Sequence, residues 1–105
     1  MSSRLRALPE VSDDIVQAAN WYRQERHDLG VEFTEAVYSF LEDIFNAPLT
    51  RRLVYKDYRR GFMRRFPYAV YYRVGRDEVI ISLVFHTARN PATMRRILRS
   101  REKLK

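Results

Sequence analysis

Apolar residues recur at spacings of three and four along the first half of the chain. Ile15, Ala18, Ala19 and Tyr22 fall on one helical face, and Phe33, Val37, Phe40, Leu41 and Ile44 fall on another. The spacing predicts two amphipathic helices. Ser12 is the expected N-cap of the first, with Asp13 and Asp14 set against the positive end of its dipole, and the helix is expected to run to about Arg26. Gly30 breaks or reverses the chain, and the second helix ends near Asn46-Ala47-Pro48. So short a connection implies an antiparallel helical hairpin. Trp21, Phe33 and Phe40 are expected in its core.

Before the hairpin, Arg4 to Leu8 alternates charged and apolar residues as a short half-exposed strand would, and Pro9 closes it. From Tyr58 the period becomes two: Phe62, Arg64 and Phe66, then Val70, Tyr72 and Val74, then Val79, Ile81, Leu83 and Phe85. These are three strands. Pro67 stands where two of them bend or join, and Gly75-Arg76-Asp77 is a short turn that makes the last two a hairpin. Pro91 opens a last helix whose apolar positions are Met94, Ile97, Leu98 and Leu104, with Arg95, Arg96, Arg99, Arg101 and Lys103 on its other faces. The plan is α+β: an N-terminal strand, an antiparallel two-helix hairpin packed on one face of an antiparallel sheet of about four strands, and a short basic C-terminal helix. It is one domain over residues 1–105, with 91–105 as its basic helix or tail. The opposite sheet face, with its arginines and tyrosines, is expected to be bare and to serve as a working surface or the seat of a partner.

The 105 residues are 46% hydrophobic and 13% aromatic, enough apolar surface for one core without a metal or a cross-link. No cysteine is present, which excludes disulfide staples, thiolate metal sites and thiol nucleophiles, and suits a reducing cytosol. Charged residues near Met1 are followed by no apolar run, and no stretch approaches the ~20 residues that span a bilayer, so a cytoplasmic protein away from membranes is expected. The net charge of +7 is unevenly placed. Residues 1–50 carry four arginines against nine acids, a balance of −5, whereas residues 51–105 carry sixteen Lys or Arg against four acids, a balance of +12. The second half therefore builds a positive surface suited to nucleic acid or an acidic partner protein.

The stretch Arg64-Arg65-Phe66-Pro67-Tyr68-Ala69-Val70-Tyr71-Tyr72-Arg73-Val74 resembles the central strand of RelE/ParE-superfamily toxins. Asp14 followed by Trp21-Tyr22, then Leu29-Gly30-Val31-Glu32-Phe33 and Pro48, is similar to the first half of that family, and Phe85-His86-Thr87-Ala88-Arg89-Asn90-Pro91 is similar to its last-strand ending. The resemblance covers roughly residues 5 to 95. It implies a helix hairpin on an antiparallel sheet and the toxin of a type II toxin–antitoxin pair, wrapped by a cognate antitoxin in a hetero-oligomer. Some members cleave messenger RNA in the ribosomal A site and others poison DNA gyrase, so fold alone leaves the target open.

Cleaving RNA by attack of the 2′-hydroxyl needs a proton-transfer group and cations around the phosphate, with no metal or cofactor. His86, Arg65 and Arg73 are the candidate catalytic set for that chemistry. The candidate set for binding a target or nucleic acid is Arg64, Arg65, Tyr68, Tyr71, Arg73, His86 and Arg89. Arg64 and Arg65 alternate across their strand, so one of the two is expected to face the open surface. The two histidines cannot make a metal site without acidic partners near them, and none is expected. Ribosome-dependent members place an arginine where Ala69 stands and tend to carry a C-terminal aromatic, and no aromatic residue follows Phe85 here. The reading is therefore a ParE-like toxin that blocks growth by binding gyrase, with a ribosome-dependent mRNA endoribonuclease as the alternative. A basic nucleic-acid-binding module without toxicity, stacking bases on Tyr68 or Tyr71, is a third class. No glycine-rich phosphate loop or helix-turn-helix signal supports it.

Overall fold

The computed structural model describes residues 3–103. The elements run β1 (Arg4–Ala7), α1 (Pro9–Glu25), α2 (Leu29–Asn46), β2 (Leu53–Tyr55), β3 (Tyr58–Phe62), β4 (Tyr68–Val74), β5 (Glu78–His86) and α3 (Pro91–Lys103). Five strands form one sheet in the order β1-β5-β4-β3-β2. The β1–β5 pair is parallel and the others are antiparallel, so the sheet is mixed and one strand larger than the alternation of the sequence implies. The added strand, β2, is short and reaches β3 through Lys56-Asp57, with Lys56 in the left-handed region at φ 49°. No glycine or asparagine marks that turn, which is why it is silent in the sequence.

The helix α1 begins at Pro9, where β1 makes its last bond from the Leu8 N–H to the Ile81 carbonyl. Proline costs nothing at the first helical position, whose N–H has no intrahelical acceptor, so the helix opens three residues before the expected cap at Ser12. That shift moves Asp14 into the second turn. The hairpin of α1 and α2 packs on one sheet face around Val11, Ile15, Tyr22, Phe33, Val37, Ile44, Phe66, Val70 and Tyr72. Phe33 is at its centre, with rings of Tyr22, Phe66 and Tyr68 about 5 Å away. Trp21 is not in this core: it is 56% exposed, and Phe40 is only partly buried at the margin.

The second sheet face is not bare either. Helix α3, opened by Pro91 and capped by Asn90 Oδ1 accepting from the Ala92 N–H at 2.8 Å, lays Met94 and Leu98 over Tyr58, Ala69, Tyr71, Leu83 and Phe85. The sheet is thus covered on both faces. Leu104, expected on the apolar side of this helix, lies outside the described residues. Strand β5 serves both cores through an irregularity. Tyr71 pairs with Leu83 but Tyr72 pairs with Ile81, leaving Ser82 as a bulged extra residue. Val79 and Ile81 face the hairpin before it, and Leu83 and Phe85 face α3 after it, so these four do not share one face.

The bulge lies where β1 has already left the sheet, so the outer side of β5 has no strand partner beyond Ile81. Side chains replace the strand. The Asp14 carboxylate accepts from the Val84 N–H at 3.0 Å and from both terminal nitrogens of Arg101 at 2.7 and 2.8 Å, and Arg101 Nη1 also donates to the Ser82 carbonyl at 2.9 Å. Both side chains of the pair are largely buried, with exposures of 13% and 14%. The pair therefore joins α1, β5 and α3 at one point. Removing one partner of such a pair leaves an uncompensated buried charge, so Arg101→Met is expected to cost about 3 kcal/mol in urea unfolding. Arg95→Met, on the exposed face of the same helix, is expected to cost less than about 0.5 kcal/mol. Equal, small losses from both would show that the pair does not hold α3.

Candidate functional site

Strands β4 and β5 end together at the cross-strand pair Tyr68 and His86, whose rings meet edge to face at 5.0 Å. The chain reaches Tyr68 from β3 through a bend at residues 63–67, closed by the Met63 N–H donating to the Tyr68 carbonyl and the Tyr68 N–H donating to the Phe66 carbonyl. Arg64 and Arg65 belong to this bend and not to a strand, so strand alternation does not determine which way they point. Arg65 pairs with Glu32 of α2 and lies over the Phe66 ring, and Arg64 lines a hollow with Arg51, Phe40 and Asp43.

His86 closes the last turn of β5. Its Nδ1 accepts from the Ala88 N–H at 3.0 Å and its carbonyl accepts from the Arg89 N–H at 3.2 Å, so in the neutral ring the proton sits on Nε2. Among the described residues no carboxylate is bonded to this imidazole. Beside it runs a groove of about 520 Å³ between α1 and α3, floored by Val84, Phe85 and His86 and walled by Gln17, Trp21, Arg89 and Ile97. A neighbouring hollow of about 450 Å³ is formed by Trp21, Tyr22, Pro67, Tyr68 and His86. Trp21 is the residue that sequence reasoning misplaced. Helical phase could have located it, because Val11, Ile15, Ala18 and Tyr22 complete the buried stripe and the residue before Tyr22 must point about 100° away from it.

Of the seven candidate residues, Tyr68, His86 and Arg89 gather at this end of the sheet with Trp21. Tyr71 and Arg73 do not. Tyr71 is 5% exposed beneath α3 and offers no ring to a base. Arg73 stacks on Tyr58 and faces Glu102 of α3 at 3.6 Å and Asp57 at 3.9 Å. Arg73 pairs with Ile80 whereas His86 pairs with Tyr68, a separation of six residues along β5, or roughly 20 Å at the rise of a strand. They also stand on opposite faces of the sheet, since His86 lies with Tyr68 on the hairpin side. The set His86, Arg65 and Arg73 therefore cannot surround one phosphate. Among the described residues no group of three or more His, Asp or Glu side chains gathers, so no metal-ligand cluster is formed by them.

This geometry accords with the comparisons with known proteins. The family model of the ParE toxin of type II toxin–antitoxin system, parDE, matches residues 5–91. The chain belongs to the ParE toxin family. A solved structure titled "Chromosomal ParDE TA system from P. aeruginosa" is similar at a TM-score of 0.74 and 12% identity, over 80% of this chain and 95% of that one. At that identity the likeness shows the fold. No curated protein sequence matches the chain. No described helix of the toxin is long and apolar enough to cross a membrane.

Burial holds four tyrosines of the toxin above the ordinary value of 10.0: Tyr22, Tyr58, Tyr68 and Tyr72. In each case the apolar surroundings disfavour the phenolate, and for Tyr72 the nearby Arg51 and Arg59 oppose the shift without cancelling it. A raised folded value means that the stabilisation is complete below pH 10 and is lost as pH rises past it. In an alkaline titration the tyrosinate absorbance of these four is expected to appear together with the loss of far-UV circular dichroism. Full ionisation of all seven tyrosines near pH 10 in a folded protein would contradict this burial.

Proposed function

We propose that this ParE-family toxin blocks bacterial growth in the cytoplasm by binding DNA gyrase, and that a cognate antitoxin neutralises it in a hetero-oligomer. The observation that carries the reading is the dispersal of the candidate catalytic groups, with Arg73 on the α3 face and His86 roughly 20 Å along the strand on the hairpin face. A ribonuclease needs its proton-transfer group and its cations around one scissile phosphate. A binder needs only a surface. Trp21, Tyr68, His86 and Arg89 supply one, with rings and a guanidinium bordering the groove between α1 and α3. Arg65, over the Phe66 ring, extends it along the adjoining bend, while Arg64 lines the hollow with Arg51.

The antitoxin has its own ground. Part of the apolar surface left exposed lies on the outside of the hairpin and beside β1, at Leu5, Val31 and Tyr38. Leu5 and Tyr38 border a hollow of about 670 Å³ between β1 and α2, with Ala7, Leu41 and Ile81 below. Apolar surface beside an unpaired strand edge is what a partner segment covers.

Purified toxin is expected to inhibit supercoiling of relaxed plasmid by gyrase and to leave messenger RNA on programmed ribosomes uncut. His86→Ala and Arg89→Ala are expected to weaken the inhibition in proportion to lost binding, within about tenfold each. Codon-phased cleavage of messenger RNA, abolished by His86→Ala with no loss of ribosome affinity, would overturn the reading in favour of an mRNA interferase.

A further inference from the structure

The cations of the second half are not evenly neutralised. Among the described residues Lys56, Arg65, Arg73 and Arg101 each meet a carboxylate within 4 Å, but Arg51, Arg52, Arg59, Arg60 and Arg64 meet none, and neither do Arg76, Arg89, Arg95, Arg96 and Arg99 elsewhere. The first five line the β2–β3 ribbon at the edge of the sheet, with Arg51, Arg59 and Arg64 on its hairpin side and Arg60, which alternates with Arg59 along β3, on the side of α3. Arg52 is beside Arg60, whose N–H donates to the Arg52 carbonyl at 3.1 Å.

Three of the five are held in place by the fold. Arg59 Nη1 donates to the Arg51 carbonyl at 2.7 Å, which fixes the segment after α2, and the Tyr72 hydroxyl donates to the Pro48 carbonyl at 2.7 Å to the same effect. Arg51 lies across β3 between Phe40 and Gly61, its guanidinium 5.2 Å from the Phe40 ring centre. The absence of a side chain at Gly61 leaves room for this, since a Cβ would come within 2.9 Å of Phe40 and 3.0 Å of the Arg51 side chain, which would have to shift. Arg60 stacks over the exposed Phe62 at 4.6 Å, and its Nε is buried with no hydrogen-bond partner. Planar guanidiniums fixed in this way lose little freedom on binding and present forks that match phosphate oxygens.

We propose that the β2–β3 ribbon is a nucleic-acid contact surface, with Arg51, Arg52, Arg59, Arg60 and Arg64 engaging the sugar–phosphate backbone. Guanidiniums flank this edge on both sides. A nucleic-acid interface is much more positively charged than a protein–protein one and takes most of its bonds from phosphates and sugars. Asp43 shares the hollow of Arg51 and Arg64, so the anion is met by the outward guanidinium edges and not inside that hollow. The surface is distinct from the groove of Trp21 and His86, and its contact with nucleic acid stands whether or not gyrase is the target.

The test is fluorescence anisotropy of a labelled DNA duplex with the full chain over a series of salt concentrations, repeated with single-stranded RNA to identify the preferred backbone. Arg52 and Arg64 are exposed and hold nothing else in place, so Arg52→Ala and Arg64→Ala keep the fold. Each is expected to weaken binding several-fold and to lower the slope of log affinity against log salt by roughly one. Arg23→Ala on α1 makes the same change of net charge and is expected to leave both quantities nearly unchanged. Equal effects from all three substitutions would mean that only overall charge attracts nucleic acid, and the proposal fails. It fails equally if Arg52→Ala and Arg64→Ala leave nucleic-acid binding intact while abolishing binding to a protein target.

Discussion

The bidentate pair of Asp14 and Arg101 is the interaction on which the rest of the structure depends. It sits where an inner strand of the sheet loses its neighbour, on the outer side of β5 after β1 has turned into α1. There the bulge at Ser82 exposes a carbonyl and Val84 exposes an N–H, and buried backbone groups of this kind cost free energy unless they are bonded. Arg101 supplies the donor and Asp14 the acceptor, each with the other as counter-charge. Burial of two charges is otherwise expensive, so the arrangement depends on every polar atom near it finding a partner. With α1 and α3 locked to the same strand, the second face of the sheet closes over Tyr71 and Leu83. Left open are a groove at the end of β5, the hollow between β1 and α2, and a ribbon of arginines at the far edge.

Closure by α3 has a direct consequence for function. The face that would have carried Tyr71 and Arg73 into contact with a substrate is occupied by Met94, Leu98 and Glu102. The remaining candidate groups are divided between the groove and the bend. A fold built this way presents charged and aromatic edges without gathering them around a reacting atom. This accords with membership of the ParE family and with action through binding. The arginine ribbon adds a second surface on which Arg51, Arg59 and Arg60 are held by stacking and by backbone carbonyls, prepared for phosphates with little further ordering.

Much of the fold was legible in the sequence because its signals are local. The stripe from Phe33 to Ile44, the alternation in β4 and Pro91 at the head of α3 each follow from periodicity or from one residue's backbone preference. The strand β2 was not legible, since its turn uses Lys56 in a left-handed conformation that glycine or asparagine normally marks. Nor was the bulge, because Ser82 sits in the apolar run Val79–Phe85 and the alternation reads straight through it. The hardest to foresee was the pair of Asp14 and Arg101, 87 residues apart. From sequence, Asp14 looked like a helix-dipole partner and Arg101 like one more solvated charge. The site was legible in part. Tyr68, His86 and Arg89 lie at one end of the sheet, but Tyr71 and Arg73 lie beneath a helix that the sequence did not place over the sheet, and Trp21 was read as core.

The most direct test of this account is amide hydrogen exchange at Val84 in the intact protein. Its N–H points away from β4 to a side where β1 is absent, so its protection depends on the Asp14 carboxylate and on the pair that holds it. The account predicts that Val84 exchanges as slowly as the amides of the β4–β5 ladder, and that Arg101→Met speeds its exchange by at least about tenfold. Rapid exchange at Val84 in the unaltered chain, at the rate of an open strand edge, would contradict it.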